Sequence, residues 1–213
     1  MLCATARVQY MTEVEGTGKM PAFPRIGGML LAAGGSSRFG SPKQLALFQG
    51  KTLLRRAAET IVASGCSTIV VVLGACAEAC KEEIEGLELN IVVNDQWETG
   101  MASSIKTGLA KLIALGPDID AVLITLMDQT LITSEHLAKF AGVFNSSQSP
   151  IIAARYSDIL GAPALFSRET FNNLLQLKGD EGARSIIRKS PGVTIVELRE
   201  AAVDVDEIRD LKT

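Results

Sequence analysis

The sequence predicts a doubly wound α/β domain: a three-layer sandwich around a mostly parallel sheet with one short antiparallel excursion. Three observations carry this expectation. From residue 27 onward, short apolar runs bounded by Gly, Asn or Asp alternate with longer stretches of helical spacing. The runs are apolar throughout instead of alternating, so both faces of each strand are buried, as in a parallel sheet covered by helices. The 213 residues, 47% of them apolar, suffice for one sizeable core, and no repeat or linker divides them.

In chain order, residues 1–25 read as a loosely ordered extension, because Gly16, Gly18, Pro21 and Pro24 interrupt any pattern. A single domain is expected over 26–213. Strands are expected at 29–33, 68–73, 89–93, 121–127, 150–154 and 193–196. Helices are expected at 52–64, 75–85, 102–115, 134–144, 168–177 and 181–189. The stretch 157–168 breaks the alternation: Gly161-Ala162-Pro163 predicts a loop feeding a short strand at 164–166, the antiparallel excursion.

Charge and composition exclude several classes. The net charge is −3, with 21 basic and 24 acidic residues interspersed, so no basic face for nucleic acid is legible. No apolar run reaches the ~20 residues of a membrane span. The extension lacks the apolar core of a secretory signal, and Cys3, Cys66, Cys76 and Cys80 form no disulfide framework. A cytoplasmic protein is expected. Cys76 and Cys80 stand one helical turn apart and read as small buried residues, the alternative being a metal pair. His136, the only histidine, reads as a surface or packing residue.

In a doubly wound sheet, ligands bind beyond the carboxyl ends of the strands, near the point where strand order reverses. After the first strand stands Leu31-Ala32-Ala33-Gly34-Gly35-Ser36-Ser37-Arg38-Phe39-Gly40, with Lys43 close behind. Consecutive amides around Gly34, Gly35 and Ser36 make a concave nest suited to phosphate. Arg38 adds a bidentate fork and Lys43 a mobile point charge. The loop is neither a Walker A nor a dinucleotide fingerprint. The alternative is an ordinary strand-to-helix turn with surface charges.

Asp128 ends the fourth strand and faces the same crevice, where a carboxylate with substrate phosphates suits Mg²⁺; the alternative is a turn aspartate. Gly100, Met101, Ser103 and Ser104 open a helix, an anion-friendly position, unless Ser103 merely caps it. Trp97 suits a hydrophobic staple as well as a ligand contact. Asp204 and Asp206 flank Val205 and share one side of an extended segment, so either could join Asp128 at a metal, or both could be solvated acids.

Taken together, these residues resemble the MobA-like NTP transferases, within them the molybdenum cofactor cytidylyltransferase branch. The resemblance covers about Gly27 to the C-terminus and carries the nucleotide-diphospho-sugar transferase type of fold. Its marks are Leu31-Ala32-Ala33-Gly34-x-Ser36-x-Arg38-x-Gly40-x-Pro42-Lys43, then Trp97-x-x-Gly100-Met101-x-x-Ser104-x-x-x-Gly108-Leu109. Asp128-Gln129, Gly179-Asp180-x-Gly182-Ala183-Arg184 and Asp204-Val205-Asp206 follow in order. Leu31-Ala32-Ala33-Gly34 is similar to the cytidylyl type, where guanylyltransferases have Leu-Ala-Gly-Gly.

The resemblance implies transfer of a nucleoside monophosphate from CTP to a molybdopterin-type molybdenum cofactor, releasing diphosphate. It implies Arg38, Lys43 and Asp128 as catalytic residues. The nucleotide would be held by Leu31, Ala32, Ala33, Gly34, Gly35, Ser36, Gly100, Met101, Ser103 and Ser104 as well. Gly161, Pro163, Asp180 and Arg184 would contact the acceptor, and Asp128 with Asp206 would hold Mg²⁺. A molybdoenzyme or its chaperone is the implied recipient. The chain departs from the family pattern at Ala162, where Gly-His-Pro is common, at Thr130, where Pro follows Asp-Gln, and after Asp206. Other acceptors, such as a sugar or alcohol phosphate, and GTP as donor therefore stay open. So does a reading from another class, a nucleotide-binding chaperone that delivers cofactor to a molybdoenzyme.

Overall fold

The structure, a computed structural model, describes residues 24–35, 39–147 and 149–205. The strands are β1 (Ile26–Ala32), β2 (Leu47–Phe48), β3 (Lys51–Thr52), β4 (Thr68–Leu73), β5 (Asn90–Val93), β6 (Ala121–Leu126), β7 (Ile151–Tyr156), β8 (Ile159–Ser167) and β9 (Val193–Glu197). The helices are α1 (Leu53–Val62), α2 (Ala77–Glu83), α3 (Met101–Leu115), α4 (Ser134–Ser147), α5 (Phe171–Leu175) and α6 (Arg184–Lys189). The expected extension falls almost wholly outside the described residues. No described helix is long and apolar enough to cross a membrane.

Seven strands make one sheet in the order β5-β4-β1-β6-β8-β7-β9. The pairs β5–β4, β4–β1, β1–β6 and β7–β9 are parallel, whereas β8 runs antiparallel to both β6 and β7. Side chains leave β1 to alternate faces. Leu30 and Ala32 pack with Leu53, Leu54, Ala58 and Ile61 of α1 and Leu137 and Phe140 of α4. Met29 and Ala33 pack on the other face with Ile105, Leu109 and Leu112 of α3 and with Leu174 of α5 and Ile187 of α6. These are the three layers that the doubly apolar strands predicted. Each fully buried Leu or Ile contributes about 1.5–3 kcal/mol to that sandwich.

Local chemistry sets the helix ends. The Thr52 hydroxyl accepts from the Arg55 N–H at 3.1 Å and caps α1, and the spacing of Leu53, Leu54, Ala58 and Ile61 turns one stripe to the core. Gly116, before Pro117, terminates α3. At the start of α4, the Thr133 N–H donates to His136 Nδ1, and the His136 N–H donates to the Thr133 hydroxyl. His136 thus serves a helix cap at the surface.

Two features differ from the sequence expectation. A hairpin, β2–β3, precedes α1; Gln49 and Gly50 join it, both at positive φ as a two-residue hairpin turn of this kind requires. The expected loop at 157–163 shrinks to a turn at Ser157 and Asp158, and 159–163 form the first half of β8. The β7–β8 register jumps from Ala153↔Ala164 to Ala154↔Gly161, leaving Ala162 and Pro163 out of the pairing. Pro163 has no N–H to give a ladder, so the strand bulges there and continues.

The topology places the site. From β1 the chain winds outward through β4 and β5, then returns to β6 on the other side of β1. Order reverses between β1 and β6, and a crevice opens above their carboxyl ends.

Candidate active site

Two chambers occupy that crevice. The larger, about 560 Å³, is lined by Leu31 to Gly35 at and beyond the end of β1, Leu126 to Asp128 at and beyond the end of β6, and Trp97, Gly100, Met101 and Ser104 before and at the start of α3. Lys43, Gln44, Glu98 and Asp180 complete it. The smaller, about 290 Å³, shares Leu31, Met101, Leu126 and Asp180 with the first and adds Tyr156, Gly161, Ala162 and Arg184. Both lie near the usual size range of small-molecule sites, and their shared walls put two ligands side by side.

The loop beyond β1 is held from behind. Gln44, 2% exposed, donates its amide to the carbonyls of Ala32 at 3.0 Å and Gly34 at 2.7 Å. The Trp97 ring covers the other side. A Cβ at Gly35 would stand 2.6 Å from that ring, so only glycine fits this close approach. Trp97 therefore walls the nucleotide-sized chamber in addition to packing on the core. Ser36, Ser37 and Arg38 lie outside the described residues.

Lys43 Nζ donates to Asp128 Oδ2 at 2.9 Å, and the two side chains are 11% and 26% exposed. Asp128 Oδ1 is buried without a hydrogen-bond partner, although carboxylates normally find several. The Asp128 carbonyl accepts from the N–H of Val205, which is 1% exposed. That bond lays the 204–205 segment against the end of β6 and brings Asp204 close to it. Asp206 lies outside the described residues. Among the described residues no three His, Cys, Asp or Glu side chains converge as a metal set. Cys80 is buried in the core as expected, whereas Cys76, which caps the start of α2, is exposed and not the buried residue the sequence suggests.

The helix start is built by Asn94, which the sequence reading passed over. Buried at 4% exposure, it donates to the hydroxyls of Ser103 at 2.8 Å and Ser104 at 3.0 Å. Its own Oδ1 accepts from the Gln96 N–H at 3.0 Å. Ser103 Oγ in turn donates to the carbonyls of Gln96 and Gly100, and Ser103 is not among the lining residues. Ser103 fastens the turn; Ser104 lines the chamber. The signal for Asn94 was its position directly after β5, where a polar residue ends an apolar run.

Gly100 has φ +110, and a Cβ there would stand 2.3 Å from the backbone of Gly179. The Ala102 N–H donates to the Gly179 carbonyl at 3.1 Å. The 178–182 loop thus docks on the first turn of α3 and carries Asp180 to the boundary between the chambers.

Around the smaller chamber, Gly161 lies beneath Tyr156, whose hydroxyl stands 2.8 Å from where a Cβ would be. Burial raises the Tyr156 pKa; Arg184 opposes the rise, and Asp204 and Asp128 reinforce it. Tyr156 therefore lies within the fields of Arg184 in the small chamber, of Asp128 in the large one, and of Asp204. Gly161, Asp180 and Arg184 come together here, whereas Pro163 is buried in the β8 bulge and lines neither chamber. Tyr156 was not singled out from the sequence; it ends β7, which runs in the same direction as β6 and so opens on the same crevice.

Comparison with known proteins agrees with this geometry. The MobA-like NTP transferase domain family matches residues 28–194. Nicotine blue oxidoreductase of Paenarthrobacter nicotinovorans is 32% identical over 203 residues, covering 88% of this chain and 95% of the relative. The crystal structure of Rv0371c from Mycobacterium tuberculosis H37Rv superposes with a TM-score of 0.77 at 26% identity, covering 89% of this chain and 97% of that one. Rv0371c in complex with manganese gives 0.73 at 25% identity, covering 88% and 96%.

Proposed function

Because the chain belongs to the MobA-like NTP transferase family and is a nucleotidyltransferase, we propose that it transfers CMP from CTP to a molybdopterin-type cofactor phosphate, releasing diphosphate. The observation that carries this reading is the pair of adjoining chambers with Lys43 and Asp128 bonded across the larger one. The larger chamber holds the nucleotide and the smaller the acceptor.

In the reaction, an oxygen of the acceptor phosphate attacks the α-phosphorus of CTP. A new P–O bond forms, the bond from the α-phosphorus to the bridging oxygen breaks, and diphosphate leaves with the electron pair. Both partners are anions, so positioning and charge neutralisation do most of the work. The amides at Gly34 and Gly35 face the triphosphate, and Lys43 offsets charge on the departing diphosphate. Arg38 is proposed for the same task. Ser104 and the first turn of α3 support the nucleotide, and Arg184 with Asp180 orients the acceptor. Tyr156 closes the acceptor chamber against water.

A divalent cation fits this donor set. Asp128 presents a buried oxygen without a hydrogen-bond partner, and Mg²⁺ commonly takes one or two carboxylates with phosphate oxygens. Asp128 and Asp206 are the proposed holders, and when bound the ion neutralises phosphate charge as the reaction proceeds. The manganese complex of Rv0371c supports a divalent ion of this kind.

The test is incubation with each of the four NTPs, Mg²⁺ and purified acceptor while diphosphate release is measured. CTP-selective, acceptor-dependent release is expected. Preference for GTP overturns the base assignment, and release with a sugar phosphate alone overturns the acceptor. Redox turnover without diphosphate, as the name of the Paenarthrobacter relative suggests for that protein, overturns the reading altogether.

A further inference from the structure

Two buried glutamines support the site: Gln44 at the wall of the larger chamber, and Gln129 behind the Ala162 wall of the smaller one. Gln44, 2% exposed, donates from Nε2 to the carbonyls of Ala32 at 3.0 Å and Gly34 at 2.7 Å. Gln129, 6% exposed, donates from Nε2 to the carbonyls of Ala162 at 2.8 Å and Ala201 at 3.0 Å. A primary amide has two N–H donors, and here each amide directs both to backbone oxygens. Buried carbonyls need such partners, so each glutamine fixes the path of the backbone it grips.

The gripped segments differ. Ala32 ends β1 and Gly34 belongs to the loop beyond it, and both line the larger chamber. Ala162 lines the smaller chamber, in the bulge where Pro163 takes β8 out of register. Ala201 belongs to the 3-10 turn Arg199–Ala202, immediately before the segment that Val205 ties to the Asp128 carbonyl. Gln129 also follows Asp128 directly in the chain. It therefore joins the end of β6, the acceptor wall and the 201–205 segment in one buried contact.

We propose that Gln44 and Gln129 are positioning residues for different substrates: Gln44 sets the nucleotide loop, and Gln129 sets the acceptor wall together with the 201–205 segment. The assignment of substrates to chambers rests on the proposed function; the grip of each amide on its segment does not. Neither glutamine meets the reacting atoms in this account. Each acts through the backbone it holds.

The test compares Gln44→Met with Gln129→Met, since methionine keeps the length and removes both donors. Trp97, the only tryptophan and a wall of the larger chamber, reports CTP affinity by its fluorescence. Diphosphate release gives KM for CTP and for acceptor, and hydrogen exchange follows the segments 31–35 and 198–205. Q44M is expected to weaken CTP binding about tenfold and leave the acceptor KM within about twofold. Q129M is expected to do the reverse, raising the acceptor KM about tenfold with CTP affinity nearly unchanged. Exchange quickens at 31–35 in the first variant and at 198–205 in the second. If a methionine variant fails to fold, Gln→Asn at the same position, one methylene short of its carbonyls, must show the same pattern. Equal effects on both substrates, no effect on either, or exchange quickened uniformly overturns the proposal. If the wild type transfers CMP to no acceptor, the proposed function fails, while CTP affinity and exchange still decide the role of the glutamines.

Discussion

Lys43 Nζ lies 2.9 Å from Asp128 Oδ2, joining two residues 85 positions apart across the mouth of the larger chamber. The loop beyond β1 and the end of β6 are thereby fixed to each other at the wall of that chamber. Asp128→Asn keeps the shape and removes the charge. It is expected to lower turnover by about 10²–10³-fold, because a charged group aimed at the reacting phosphates is lost. It also removes the charge that Asp128 sets against the buried ammonium of Lys43, at a stability cost of about 1–3 kcal/mol. Steady-state diphosphate release and chemical denaturation measure the two effects. Lys43→Met combined with Asp128→Asn should be far from additive in both assays, since the residues share one contact.

Trp97 and Gly35 make the next prediction. A methyl group at Gly35 would press on the indole at 2.6 Å and push the loop into the chamber. Gly35→Ala is expected to weaken CTP binding about tenfold, with little change in melting temperature because the loop is at the surface. Titrating CTP against Trp97 fluorescence measures it. An unchanged affinity would mean that this loop does not contact the nucleotide.

Gly100 is predicted to matter for a different reason. Its φ of +110 disfavours any side chain, and Gly179 occupies the space a Cβ would need. Gly100→Ala is expected to cost about 2–4 kcal/mol in urea unfolding and to release the 178–182 loop to proteolysis. Because that loop carries Asp180 between the chambers, acceptor KM should rise as well.

Alkaline stability should report Cys80. Burial pushes its thiol up to about 11, with Cys76 and Glu83 adding to the rise. The unfolded chain loses that proton near the ordinary value of 9.0, and the folded chain only near 11. The contribution is therefore fully present below pH 9 and is lost as pH rises toward 11. Cys80→Ala should flatten the fall in stability over that window, measured by urea unfolding at pH 8, 9, 10 and 11, with the wild type losing stability faster.

Much of the sandwich was legible in the sequence because its strands are apolar on both faces, a pattern that survives without knowledge of neighbours. The same holds for the crevice, since Gly34, Gly35 and Asp128 stand just beyond strand ends and Lys43 comes at the close of the loop that follows β1. What stayed hidden depends on side chains meeting at long range. Asn94, Gln44 and Gln129 act by donating to hydroxyls or carbonyls whose positions no local spacing reveals. Tyr156 reaches the smaller chamber because β7, two strands away from β6, runs in the same direction as β6, and the bulge at Ala162 and Pro163 looked like a loop because proline usually ends a strand. Ser103 looked like a chamber residue, but its hydroxyl is occupied by the turn that Asn94 and Gln96 build.

The central claim is that the two chambers bring a CTP α-phosphate and an acceptor phosphate together under Lys43 and Asp128. Its most direct test supplies CTP labelled at the α-phosphate with purified molybdopterin-type cofactor and Mg²⁺, then identifies the labelled product by mass. The account predicts label in a cytosine dinucleotide of the cofactor, one diphosphate released per product, and neither with Asp128→Asn. Label recovered only as free CMP, or product formed equally well by the variant, would contradict it.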